Sequence, residues 1–592
     1  MSPGTRRSLT VGAAAMLAAT TLLTGPVSAQ DDIPQGGTLV VGEWQRAEQL
    51  NPFLTNALKD FEAIRPAQRP LAGVNDAGEF VPELLAEFPS LENGGIVPDD
   101  DGDGFTMNLK LQEGLMWSDG MPLTLHDYKA NYDWAVATGQ AGVACPYCSQ
   151  LVPLINPDVN LPPEERWAPE NQRVDAFDVS EDGLSAEIHF GGNFAGWITM
   201  LTEIHLIAPQ YWLDVPADEI ATRMVVGSDT LLEIPTSGPF KYAASSADGI
   251  DYVPNEFWAA DAGPNLEQLR LRFFGDKPGM FTAFLNGEID LTLNTTLADV
   301  AALQTVDPSI GRAIVDTGWQ YEHLDFNFER SNLGLDDPMV RRGLAMAIDK
   351  QALLDVLFPG AGLTPACSIA PPAQWYATEI ECDPYDPEAA GALLDEAGWA
   401  IDPELGTRAK DGNPMRIHAC TSSGNPVRLT TLGRIAQDLL AIGVVVDIET
   451  SSDIFSTWDL TTGETECNIY RGTFDMALYT DQLSPDPYSD WFGKYHSSSV
   501  GTDANPGGIN IPRIADPAMD ELIAALGASM SEEEIKAAAA DLQAYANEVT
   551  TEAALYYRPE PSGIGNHLGG FVKKNPSTAT SLWDAENWYF IP

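Results

Sequence analysis

Cys145, Pro146, Tyr147 and Cys148 put two thiols at the spacing of a dithiol redox centre, where one thiolate attacks a disulfide and its neighbour resolves the adduct. Such a centre opens a helix directly after a strand. This pair instead follows a helical stretch over 125–138 and precedes a proline-rich run over 152–163, so it reads as a short-range structural disulfide in a loop. The other cysteines, Cys367, Cys382, Cys420 and Cys467, make the count even, as in an exported, disulfide-bonded chain. Proximity favours Cys367 with Cys382 and Cys420 with Cys467, and the pairing stays open at this level.

A second constellation is acidic. Asp99, Asp101 and Asp103 alternate ahead of Gly104, the pattern that opens a calcium loop, but Lys110 stands where an EF-hand needs its bidentate glutamate. The alternatives are a structural calcium with other ligands and a polar turn joining two strands. For catalysis the chain offers little. It has no Gly-x-Ser-x-Gly elbow, His-Glu-x-x-His pair or phosphate-binding Gly-x-x-x-x-Gly-Lys loop, and its seven histidines lack metal-ligand spacing. No catalytic residue is therefore named, no cofactor is expected, and the chain is read as a non-enzyme.

The elements that hold these residues alternate in type. A β-branched run over 37–42 reads as a strand, as do 105–111 and 266–274. The stretch 174–190 reads as two strands joined at Glu181, Asp182 and Gly183, and 238–242 begins another β segment. Thr124 is a good N-cap for the helix after it. Helices are expected over 280–286, over 339–349 after Asp337 and Pro338, and from Asp386 and Pro387 to Gly398. Two more are expected over 429–442, leading into a strand at 444–448, and over 531–549. This alternation defines an α/β protein.

With 592 residues, two or three lobes are expected. The 86 acidic residues against 32 basic give a net charge of −54, which repels phosphate backbones and argues against nucleic acid as a partner. At the N-terminus, Arg6 and Arg7 precede an apolar stretch over 11–23, then Gly25, Pro26 and the small-residue site Val27-Ser28-Ala29. That is the layout of a secretory signal cleaved after Ala29. Sec and twin-arginine export both fit the paired arginines. A soluble periplasmic or extracellular protein is expected.

Several segments taken together resemble one family. They are 105–120 with Asp127; Ser237-Gly238-Pro239-Phe240 with Asn255 to Trp258; and Phe284 to Asp290, ending Gly-Glu-Ile-Asp. Further along come Val340-Arg341-Arg342-Gly343-Leu344 through Ala347-Ile348-Asp349-Lys350; Asp386-Pro387 with 393–399; and 438–443. In this order they are similar to the oligopeptide/dipeptide-binding family of ABC importer receptors, solute-binding family 5. The resemblance implies a two-lobed clamp like the periplasmic binding proteins, with an accessory domain. After the signal at 1–29, lobe I would comprise 30–74, 208–320 and 551–592, the accessory domain 75–207 and lobe II 321–550.

The resemblance also implies a monomer that captures a peptide or peptide-like solute between its lobes and delivers it to a membrane permease. Trp44 and Gln45 in one lobe, and Tyr479, Thr480, Asp481, Gln482 and Leu483 in the other, fall where the family meets its ligand. Anchored on Asp486 and Pro487, the position that pairs with a peptide's α-ammonium falls on Leu483, with Asp481 two residues earlier. That departure opens a second reading, a non-peptide solute such as an oligosaccharide. A third, from another class, is a secreted hydrolase or a thiol oxidoreductase using Cys145 and Cys148.

Overall fold

A computed structural model describes residues 33–592 except 56, 101–102, 144, 156–160, 213–214, 216–218, 220–221, 259–262, 297–298, 373, 453, 456–466, 504, 506–507 and 573–579. The leader at 1–29 and Asp101 lie outside the described residues. The strands of the largest sheet, in chain order, are β1 (Thr38–Glu43), β2 (Phe240–Ser246), β3 (Gly249–Pro254), β4 (Gln268–Phe273) and β5 (Leu291–Leu293). They continue as β6 (Gly311–Phe326), β7 (Arg416–Ser422), β8 (Val445–Ser451), β9 (Met476–Gln482) and β10 (Glu552–Gly565). Their spatial order is β8-β7-β9-β6-β10-β5-β1-β4-β3-β2.

Each half of this sheet has a parallel core. β1 runs parallel to β4 and β5, and β7 runs parallel to β8 and β9. Leu39 and Val41 of β1 and Ile417 and Ala419 of β7 are buried, as parallel strands require when elements cover the sheet. Between the cores, β6 and β10 are 16 and 14 residues long and pair antiparallel across the boundary.

That pairing comes in two blocks. Residues 311–317 face 559–565 and residues 321–325 face 552–557, with register shifts between Thr317 and Tyr321 and between Glu322 and His323. A bulge bends and twists its strand, so the sheet's local twist increases where the two parallel cores meet. Gly318 lies in the gap. A Cβ at this position would sit 2.8 Å from the Arg558 carbonyl oxygen, closer than side chains approach, so the crossing requires glycine.

A separate antiparallel sheet has the order Ile96–Pro98, Phe105–Lys110, Ser185–Phe190, Val174–Val179. The helix Leu125–Gln140 packs on it through Tyr128 and Tyr132 against Phe177, and its start is fixed by a reciprocal capping box between Thr124 and Asp127. One apolar cluster joins Phe105 of this sheet, Leu39 of β1 and Trp491 and Leu542 of the late helices; another gathers Leu324, Leu344, Ile417 and Tyr556. The Trp197 indole donates 2.9 Å to the Met530 carbonyl, tying the smaller sheet's surroundings to those helices.

Three helices differ from the sequence reading; the one expected over 280–286 is Lys277–Leu285, started early by the Asp276 cap. The helix expected over 339–349 ends at Met346, and Asp349 becomes the N-cap of a second helix, Lys350–Leu357, by accepting from Ala352 N at 2.9 Å. Its own amide is held by the Asp438 carboxylate at 3.2 Å, which fixes the break. The helix expected from Leu429 begins at Pro426, because Asn425 caps it. No described helix is long and apolar enough to cross a membrane.

Candidate functional site

β9 and the helix Pro487–Tyr495 enclose an open cavity of about 330 Å³. The helix starts where it does because Asp486 caps it, accepting from the amides of Tyr488 and Ser489, with Pro487 preset for the first turn. Asp490 and Lys494, four residues apart, then share one helix face and line the cavity. The wall facing them is the run Tyr479 to Leu483, so the structure brings all five of those sequence candidates together. Phe455, Tyr470, Ile509 and Ile511 add aromatic and aliphatic surface.

The floor is a network of charges. Lys494, 6% exposed, places its Nζ 2.6 Å from Asp481 Oδ2 and 2.7 Å from Glu552 Oε2, and donates to Tyr321 Oη at 3.0 Å. Burial works against the ammonium, but Asp481 and Glu552 outweigh it and hold Lys494 well above the usual lysine range. His323 lies 3.3 Å away on β6. Burial and Lys494 push its pKa down, Glu552 and Asp325 push it up, and the carboxylates prevail. Tyr479 donates at 2.5 Å to Asp325, and Tyr495 at 2.7 Å to Glu552.

Thr480 is held equally firmly. Its hydroxyl donates to Glu322 Oε1 at 2.7 Å and accepts from Arg428 at 2.6 Å. Gln482 accepts from Gln320 at 2.9 Å, while Leu483 is 3% exposed with its carbonyl taken by Gln374 at 3.0 Å. Asp490 accepts from the Ser484 amide and hydroxyl at 2.6 and 3.0 Å. Burial, then the charge on Asp486, pushes its carboxyl well above the usual range.

Trp44 and Gln45 are not in the lining of this cavity. They follow β1, where the Trp44 indole donates to the Asn294 carbonyl at 2.8 Å and its ring lies 5.0 Å from the Lys277 ammonium. Gln45 is exposed, its amide donating to Glu43 at 3.0 Å. The carboxylate of Asp99 pairs with His189 at 3.0 Å in the connection between two strands of the smaller sheet, and Asp99 and Asp103 fall in neither metal-capable cluster found among the described residues. One of those clusters, His323, Asp325 and Glu552, already holds the Lys494 ammonium; the other, His418, Cys420 and Cys467, has its sulfurs in a disulfide. The bonds are Cys145–Cys148, Cys367–Cys382 and Cys420–Cys467, and Cys148 is fully buried.

Two parallel-cored half-sheets joined by a pair of long strands, with a cavity of apolar walls and a few charged groups beside the junction, are the frame of a solute-binding clamp. Solved structures share this two-lobed fold. MppA, a periplasmic murein tripeptide-binding protein in an unliganded open form, superposes with a TM-score of 0.72 at 17% identity, covering 94% of this chain and 98% of that one. The sequence profile of bacterial extracellular solute-binding proteins, family 5, middle region, matches residues 79–501, and the chain belongs to that family. Among curated relatives, heme-binding protein A of Haemophilus influenzae is 33% identical over 191 residues, 31% of this chain and 34% of its own length. Di/tripeptide-binding protein 2 of Pseudomonas aeruginosa is 30% identical over 296 residues, 48% and 49% of the two chains. These two matches thus span between a third and a half of each relative.

Proposed function

We propose that the chain is the substrate-binding component of an ABC importer, capturing a peptide or peptide-like solute between two lobes and delivering it to a membrane permease. The observation that carries this reading is the Asp481–Lys494 pair lining the cavity, which offers an acidic and a basic partner to a zwitterionic solute. The similarity to a di/tripeptide-binding protein supports it. The lobes would divide at the β6/β10 register shift, lobe I taking 30–74, 208–320 and 551–592 and lobe II 321–550, with 75–207 as the accessory domain. Trp44 and Gln45 would meet solute from lobe I on closure. The protein would be exported by the leader at 1–29 and act as a soluble monomer.

A second reading, a non-peptide solute such as an oligosaccharide, draws on Leu483. At the position where the family pairs a ligand amine this chain has a buried aliphatic residue, and the cavity wall is rich in aromatic faces. Mass spectrometry of solute retained through purification tests both. Recovery of short peptides is expected, and recovery of oligosaccharide alone would replace the first reading by the second.

A further inference from the structure

Away from the cleft cavity, and sharing no lining residue with it, a pocket of about 240 Å³ opens between the helices Pro338–Met346 and Lys350–Leu357, the start of β10 and the Cys367–Cys382 disulfide. Its walls include Ala345, Ile348, Pro365 and Ala554, and its polar groups include Lys350 and Glu552.

Glu552 is 7% exposed. Its Oε2 serves both Lys494 and Tyr495, while its Oε1 is buried and accepts no hydrogen bond from the described residues. A buried carboxylate oxygen without a donor is costly, so a donor brought by a ligand gains more here than in water. Lys350 spends one N–H on the Ala366 carbonyl at 3.1 Å, leaving two to give. Burial lowers its pKa to about 8 against the opposing charges of Asp383 and Glu552, and an arriving carboxylate would further favour its charged form. Asp383 also holds Arg342 at 2.6 and 2.9 Å, and Asp349 caps its helix, so each of these acids has a partner of its own besides Lys350.

We propose that this pocket is a second ligand site for a free amino acid with an apolar side chain, whose ammonium pairs with Glu552 Oε1, whose carboxylate pairs with Lys350 and whose side chain lies on the aliphatic wall. The size agrees. The pocket falls below the roughly 300 Å³ at which sites for larger organic ligands begin. Because Glu552 also holds Lys494, which holds Asp481, the two sites share a carboxylate network.

The test is isothermal titration of the full protein with L-leucine, with leucinamide and 4-methylpentanoate as probes that each lack one charged end. The variants are Lys350→Met, the pocket-filling Ala345→Leu and the cleft-blocking Gln482→Trp, each checked for a native melting transition. One-to-one leucine binding is expected, about tenfold or more weaker in Lys350→Met or Ala345→Leu and within about twofold of wild type in Gln482→Trp. Both truncated probes should bind about tenfold or more weakly than leucine. The proposal is overturned if leucine does not bind at roughly 10 mM, if the truncated probes match it, or if only Gln482→Trp abolishes binding. That last result would place the amino acid in the cleft and leave the importer reading standing.

Discussion

Lys494 sits between Asp481 and Glu552, so the carboxylate facing the cavity is already half of an ion pair before any solute arrives. Under the proposed peptide reading, a ligand ammonium would share Asp481 with Lys494, and a ligand carboxylate would approach Lys494 in return. Counting from Asp486 and Pro487 places the amine-pairing position on Leu483, with Asp481 two residues earlier, and gives no sign of Lys494. The partners that define Lys494 are non-local: Glu552 comes from β10 and Tyr321 and His323 from β6, far away in sequence. Asp490 was hidden for the opposite reason, since one more acid is invisible in so acidic a chain. Its raised pKa gives a sharp expectation. A group whose folded pKa is raised contributes stability that is fully present below its unfolded pKa and is lost as pH rises through the folded value. Asp490→Asn, which fixes the neutral form, should therefore raise the melting temperature at pH 8 and change it little at pH 4.5. Equal shifts at both pH values, measured by scanning calorimetry, would show that Asp490 carries no such burden.

Most elements were legible because local chemistry sets them. Thr124 with Asp127, Asp337 with Pro338 and Asp386 with Pro387 each combine a capping oxygen with a residue suited to the first turn, and each starts a helix. The break at Asp349 was not legible, because the apolar stripe of Val340, Leu344, Ala347 and Ile348 runs on through it while the capping oxygen turns the chain. The long strand β6 was missed as well. Its register shifts interrupt the alternation that marks a strand, and its partner β10 lies more than 200 residues away in the chain. The crossing depends on Gly318. Gly318→Val would drive a side chain into the Arg558 carbonyl, at an expected loss of about 1–3 kcal/mol. Urea unfolding measures that loss, and an unchanged midpoint would mean that the crossing accommodates a side chain.

Across the whole molecule, several acids are buried where the folded state favours their protons. Burial raises Glu43 to about 8 and Glu203 and Asp584 to about 7. Their contribution is complete below the unfolded carboxylate range and disappears as pH climbs through 7 to 8. His205, lowered to about 3 by burial, acts oppositely, and only below its ordinary pKa near 6.5. The melting temperature should therefore fall as pH rises from 6.5 to 8, and a flat or rising profile would contradict these burials. The two-lobed plan was readable because its motifs keep their order along the chain. The charge network at the junction was not, because it exists only once β6, β9 and β10 are side by side. The most direct measurement is isothermal titration of a tripeptide, its N-acetylated form and maltotriose into wild type and Asp481→Asn. One-to-one binding of the free tripeptide is expected, weakened at least about tenfold by acetylation and by the substitution, with no heat from maltotriose. Binding of maltotriose alone, or tripeptide binding indifferent to both acetylation and Asp481→Asn, would contradict capture of a peptide through the Asp481–Lys494 pair.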